Sequence, residues 1–145
     1  MNRKRSVSSV YKAAKHATSK IKSNLTEVIN CKDKNAIRPV LVKKYKSTRK
    51  YLYKLSDDNV IETVCITRRT GITACVSTQV GCAVRCRFCE SGVNGLVRNL
   101  TASEIVQQVQ MLNEKVNRIV FMGMGEPLHN YHEVIQAIHL LRDRN

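Results

Sequence analysis

Apolar residues follow two different rhythms along the 145-residue chain, and the change of rhythm divides it. From Val10 the positions Val10, Ala14, Ala17, Ile21, Leu25 and Val28 recur at three- and four-residue steps with lysines between them, which predicts an amphipathic helix. Two members of that stripe are alanine, so the face suits packing on a body, lying along RNA, or fraying into solvent. Binding at a membrane surface would lack a Trp or Phe anchor. Pro39 interrupts the pattern and residues 43–50 read as a basic connector, so a soft boundary is expected near residue 49.

Beyond it the period shortens to two. Residues 51–55 and 60–66 are rich in aromatic and β-branched side chains, and Ser56-Asp57-Asp58-Asn59 between them favours a turn, which predicts a β-hairpin. Thr70-Gly71 marks the next turn, and residues 72–77 form a third expected strand. Thr101-Ala102-Ser103-Glu104 is a capping box opening a helix with Ile105, Val109, Leu112 and Val116 on one face. Residues 118–122 then read as a buried strand, and Asn130-Tyr131-His132-Glu133 as a capping-box variant before a helix carrying Val134, Ile138 and Leu141. Strand, loop, helix twice over predicts an α/β fold with parallel pairing. In such units ligands gather at the loops beyond the strand C-termini.

Charge sharpens the division. Of 25 Lys/Arg and 11 Asp/Glu, residues 1–54 hold 16 and 2, leaving nine of each for the remainder. A neutral body with a basic arm suits an RNA partner, because lysines release counterions from phosphates; a solvated tail is the plainer alternative. No apolar run approaches the ~18 residues of a membrane span, and no hydrophobic signal region follows Arg5. A cytoplasmic protein is expected, in which six cysteines read as metal or redox chemistry before disulfides.

Three of them, Cys82, Cys86 and Cys89, are spaced C-x3-C-x2-C in the loop after the third strand. Three thiolates so spaced suit three corners of a cubane 4Fe-4S cluster and leave one iron without a protein ligand. With Cys75 they could instead hold a tetrahedral zinc, although zinc frameworks usually pair two separated knuckles. Gly123-Met124-Gly125-Glu126-Pro127 follows the next strand. Its glycines permit close backbone approach, and Pro127 biases Glu126 to an extended conformation. Taken alone, Cys75 reads as a small buried hydrophobe and Glu62 as a solvated acid on a hairpin strand. Cys65 reads as packing, Cys31 stays open, and Arg85 and Arg87 would tune a cluster or meet phosphate.

Together these residues resemble a known family. C-x3-C-x2-C with Phe88 before the last cysteine is the radical S-adenosylmethionine (SAM) signature. The stretch from Cys75 to Cys82, Gly95 with Arg98-Asn99-Leu100, and residues 122–127 look like the RlmN/Cfr adenine methyltransferases, from about Lys50 to about Leu141. The resemblance implies the first βα units of a partial (β/α) radical SAM barrel, preceded by a β-hairpin and a basic N-terminal helical segment. Residues 1–49 would be an RNA-binding segment, and residues 50–145 an incomplete radical SAM domain. It further implies that Cys82, Cys86 and Cys89 hold the cluster and that Gly125 and Glu126 hold the amino group of SAM. Cys75 would resolve an enzyme–RNA crosslink, and Glu62 would accept a proton.

The implied reaction methylates carbon 2 of an adenine in 23S rRNA, and in some members tRNA, through a 5′-deoxyadenosyl radical and a methylcysteine. Cfr relatives attack carbon 8. Electrons would come from a flavodoxin-like or ferredoxin-like donor. Family chains are more than twice this long and carry the methylated cysteine beyond the position of Asn145, so an N-terminal portion or truncated copy is expected. A non-catalytic iron-sulfur or zinc RNA-binding protein, and one half of a split enzyme, are the competing expectations.

Overall fold

The expected hairpin at Ser56–Asn59 is one turn of a larger sheet in the computed structural model, which describes residues 37–142. The helix expected from Val10 and the open question of Cys31 lie outside the described residues. The strands are β1 (Arg38–Tyr45), β2 (Thr48–Lys54), β3 (Val60–Arg68), β4 (Gly71–Cys75), β5 (Gln79–Gly81), β6 (Leu96–Asn99) and β7 (Arg118–Val120). Helix α1 (Ala102–Gln110) follows β6, and α2 (Tyr131–Arg142) follows β7. Single 3-10 turns form at Glu90–Gly92 and Pro127–Asn130. A five-stranded sheet runs in the order β1-β2-β3-β4-β7. Pairing is antiparallel through β4, and β4 and β7 are parallel, as two βα units require.

The connector expected at residues 43–50 is instead the tip of a second hairpin. Residues 38–45 form a strand because β1 is the outermost strand among the described residues, where Pro39 costs no ladder hydrogen bond to a further described neighbour, and the register shifts between Pro39 and Leu41. Lys46, at φ 49, makes the turn. The boundary expected near residue 49 falls inside β2, so the chain from Arg38 onward belongs with the sheet. The β5–β6 pair was also unexpected, being only three and four residues long within a Cys- and Gly-rich stretch.

Alternation gives the large sheet two unlike faces. One carries Tyr51, Tyr53, Ile61, Cys65 and Ala74, all buried against Ile105 and Val106 of α1 and Val134 and Ala137 of α2. Fully burying a Leu, Ile or Val side chain stabilises by about 1.5–3 kcal/mol, so this face supplies most of the driving force. Cys65 is packing, as expected: it is 1% exposed, and burial pushes its thiol up to about 11. The other face carries Leu52, Glu62, Val64, Cys75 and Val120, of which Leu52 is buried and the rest half-buried.

Two helix starts differ in kind. Thr101 and Glu104 make the expected reciprocal capping box of α1. The expected box at residues 130–133 does not form, because both of its polar members reach across the fold. Asn130 is buried and donates to the carbonyls of Thr78 and Leu100, each at 2.8 Å. Glu133 accepts from the Ala102 amide at 2.5 Å, so α2 helps to cap α1.

A buried polar brace joins α1 to the sheet. Gln108, fully buried, accepts from Thr63 Oγ1 and from the Ser77 amide, both at 2.8 Å, and donates to the Ser77 carbonyl at 2.9 Å. An orphaned buried polar group costs about 1–3 kcal/mol. Gln108→Ala, which strands three such groups, should lower the urea-unfolding free energy by about 3 kcal/mol or more. Thr101→Ala, which removes one cap, should cost about 1 kcal/mol in the same measurement.

Candidate functional site

Because β4 and β7 run parallel, their following loops leave from the same edge of the sheet. Those loops are zipped together by backbone. The Val76 amide donates to Val120 O at 2.9 Å, and the Gly123 amide donates to Val76 O at 3.1 Å. The Thr78 and Gln79 amides both donate to Met124 O, at 2.8 and 3.2 Å. Side chains complete the seam: the Met124 amide donates to Ser77 Oγ at 3.0 Å, and the Glu126 amide to Gln79 Oε1 at 2.9 Å.

The glycines are what let the loops approach. A Cβ on Gly123 would lie 2.7 Å from the Val76 carbonyl carbon and oxygen. Gly125 combines φ +97 with a would-be Cβ 2.5 Å from Gln79 Cβ, so a side chain there would meet both strain and collision. Glu126 is extended, at φ −100 and ψ 111, as the following proline favours. Its carboxylate accepts from the Leu128 amide at 3.1 Å and so caps the short turn that follows.

The cysteine loop hangs from the same seam through β5. Cys82 is buried, and its amide donates to Gly95 O at 3.0 Å; the Cys89 amide donates to Cys86 O at 3.0 Å. Cys86 is exposed and Cys89 half-buried, and Arg85 takes a left-handed φ of 54 beside Gly92. Among the described residues no three His, Cys, Asp or Glu side chains converge tightly enough to hold a metal ion. In type and number the donors fit: three free thiols in one glycine-hinged loop, with Cys75 apart from them on the strand.

Glu62 and Cys75 share the open face of the sheet. Cys75 lies opposite Val64, so Glu62 is its diagonal neighbour, about 7 Å away at Cβ. Glu62 Oε2 accepts from Lys50 Nζ at 2.8 Å, and the Glu62 carbonyl accepts from Ser77 Oγ at 2.5 Å. Burial pushes the Cys75 thiol above its ordinary value, partly offset by a hydrogen bond with the Met122 backbone. The fold therefore brings Glu62, Cys75 and the Gly-Met-Gly-Glu loop to one junction at Ser77. The cysteine triplet stands at the far end of β5.

Sequence reasoning placed Ser77, Gln79 and Asn99 only within the family motif and Asn130 only at a helix cap, and it missed Gln108. Gln79 is fully buried and also donates to Asn99 Oδ1 at 2.8 Å, which ties the seam to β6. The available signal was Ser77-Thr78-Gln79, three polar residues directly continuing a strand. Arg98 forms a clamp beside them. It donates to Asp57 Oδ2 at 2.6 Å, to both Glu104 carboxylate oxygens at 2.8 and 2.9 Å, and to Asn99 O at 2.9 Å. One guanidinium thus fastens the hairpin turn, β6 and the first turn of α1.

Residues 76–145 match the family described as Radical SAM superfamily. A protein of Rhodopseudomonas palustris named "Probable RNA methyltransferase" is 60% identical over 97 residues, covering 67% of this chain and 27% of its own length. The "Probable dual-specificity RNA methyltransferase RlmN" of Alkaliphilus oremlandii is 46% identical over 113 residues, covering 75% and 33%. The crystal structure of a radical SAM methyltransferase from Sphaerobacter thermophilus superposes with a TM-score of 0.69 at 35% identity, covering 88% of this chain and 38% of that one. The segment from Val76 is thus a radical SAM domain segment on a mixed α/β fold. Within that class the chain is related to the RlmN-type methyltransferases that its motifs resemble, and it spans between 27% and 38% of the length of these three relatives.

The Arg98 clamp carries a pH signature. Its hydrogen bond holds the Asp57 carboxyl down at about 2, and burial of Glu104 is outweighed by Arg98 and the Thr101 amide, so that group is lowered too. Depressed carboxyls stabilise above their unfolded values, near 4, and the benefit disappears as pH falls through the folded values. Arg98→Met should therefore unfold at lower urea than the parent at pH 6, with the gap closing toward pH 2. Urea midpoints across that range measure it, and coincident curves would show that the clamp adds nothing.

Proposed function

We propose that this chain is the cluster-bearing part of a radical SAM RNA methyltransferase. On this reading Cys82, Cys86 and Cys89 hold a 4Fe-4S cluster, and the Gly125–Glu126 backbone receives the amino group of SAM. Bound together, cluster and SAM supply a one-electron cleavage that yields a carbon radical. The observation carrying the reading is the seam between residues 76–79 and 123–126. It fastens the stretch leading into the cysteine loop to the Gly-Met-Gly-Glu loop, at the strand ends where ligands gather in βα folds.

The chain's own residues have distinct tasks in this scheme. Gln79 and Ser77 orient the Glu126 and Met124 amides, while Val76, Val80 and Leu100, all buried, exclude water from beneath the loops. Glu62 is the proton acceptor and Cys75 the thiol that resolves an RNA adduct, both on the open face. The substrate is an adenine of 23S rRNA, methylated at carbon 2, with tRNA as a second substrate of the same chemistry. The basic segment of residues 1–49 contributes RNA affinity, and a flavodoxin-like or ferredoxin-like protein supplies electrons. Among the described residues no helix is long and apolar enough to cross a membrane.

Anaerobic reconstitution with iron and sulfide, followed by electron paramagnetic resonance of the dithionite-reduced protein, tests the proposal. A cubane signal that shifts on adding SAM is the expected result, and alanine at Cys82, Cys86 or Cys89 should abolish it. A cluster whose spectrum ignores SAM would overturn the enzyme reading for this chain. Failure to form any cluster would favour zinc.

A further inference from the structure

The register of the large sheet places Lys43, Lys50, Val64, Cys75 and Val120 opposite one another in a single row across five strands. Cross-strand partners point to the same face, so Lys43 and Lys50 lie on the open face with Cys75 and Glu62. At about 4.8 Å per strand, Lys50 stands about 10 Å from Cys75 and Lys43 about 14 Å. The long lysine side chains span part of that distance, which brings phosphates flanking a base over Cys75 within reach of their ammonium groups.

The edge strand has the charge to match. Residues 38–54 contain seven Lys/Arg and no Asp/Glu. Lys43 is exposed and has no ion-pair partner among the described residues, and β1 is exposed at every position except the half-buried Leu41. On the same face, next along β1, Tyr45 is 72% exposed, with Lys46 Nζ 5.5 Å from its ring centroid. Lysines beside an open aromatic ring are what a single-stranded nucleic acid uses, the cations for phosphate and the ring for base stacking.

We propose that Lys43, Lys50 and Tyr45 form the docking track for the RNA strand, holding its phosphates at the sheet edge while the target base lies over Cys75. The proposal rests on the reading of the chain as an RNA-modifying protein and gives that protein a substrate path. Lys50 has a second consequence. Its ammonium is already bonded to Glu62, so an arriving phosphate competes for it and loosens the carboxylate at the moment the base arrives. The opposite face offers an internal control: Lys44 pairs in register with Arg49, whose guanidinium is engaged by Glu114.

Fluorescence anisotropy of a fluorescein-labelled RNA stem-loop carrying a loop adenine, titrated with the full chain from 50 to 200 mM KCl, tests the track. Lys43→Gln should weaken binding about threefold and flatten the slope of log K against log salt by about 0.7. Lys43→Gln with Lys50→Gln should weaken it about tenfold and flatten the slope by about 1.5. Lys44→Gln, one residue away with the same charge change, should match the parent within twofold. Equal losses for Lys43→Gln and Lys44→Gln would overturn the proposal, as would absence of RNA binding at 50 mM salt. Polyglutamate bound as tightly as RNA, with the same dependence on Lys43, would reassign the edge to an acidic protein. The resonance experiment on the double variant separates the two readings. A SAM-shifted cluster with undiminished RNA affinity refutes the track alone. Lost affinity without a cluster leaves the track and refutes the methyltransferase.

Discussion

Everything on the functional side of this molecule depends on how closely two pieces of backbone approach, residues 76–79 and residues 123–126. Each is the continuation of a parallel strand, and a parallel pair alone does not force its exits to touch. Contact is made possible by the missing side chains of Gly123 and Gly125 and is held by hydrogen bonds from both directions. The Met124 carbonyl accepts two amides, and Ser77 Oγ both donates to Glu62 O and accepts from Met124. Removing water from such polar groups without pairing them would cost several kcal/mol in sum. The seam therefore has to be complete to be tolerable.

The same logic explains why so many polar side chains are buried in a small body. Thr63, Ser77, Thr78, Gln79, Gln108 and Asn130 are each no more than 4% exposed, and every one has a named partner. They connect β3, the strand exits, α1 and the turn before α2 around the Ser77-Thr78-Gln79 segment. An apolar core would hold these elements together, but it would not fix their relative register to a fraction of an ångström. Directional bonds do so. A site that must orient a small ligand against a cysteine loop needs that kind of precision.

Much of this was legible in the residues, and the part that was not has physical causes. Spacing and capping chemistry are local, so the cysteine triplet, the Thr101–Glu104 box, the β2–β3 hairpin and the parallel βα order could be read directly. The extended Glu126 followed from Pro127 alone. The polar brace could not be read, because Gln108 and Ser77 are 31 residues apart and Asn130 and Thr78 are 52 apart. Asn130 and Glu133 fit a local cap pattern, yet each found a stronger long-range partner. Strand β1 was hidden by Pro39, which is disfavoured only where both edges of a strand are paired. Gly123 and Gly125 were read as permitting close backbone approach, and they do so; that the approaching chain is residues 76–79 is a long-range fact that spacing does not carry.

The strict alternation of the sheet then decides which chemistry faces which way. Ile61, Thr63, Cys65 and Ala74 go to the helices; Glu62, Val64, Cys75 and Lys50 go to the open side. A slip of one residue between β3 and β4 would exchange the faces, sending Cys75 into the core and Ala74 outward. Such a slip is opposed at both ends of the pair. Asn117 Oδ1 accepts from the Ile72 amide at 2.8 Å beside Gly71, and Gln108 grips both backbone groups of Ser77 just beyond Cys75. The two cysteines that flank this register, Cys65 and Cys75, differ by which side of the sheet they occupy. One is sealed among Tyr51, Tyr53 and Ile61, and the other stays half-open beside Glu62. The buried brace thus does more than add stability: it is the reason that the Cys75 thiol and the Glu62 carboxylate stand together on the face of the sheet turned away from the helices.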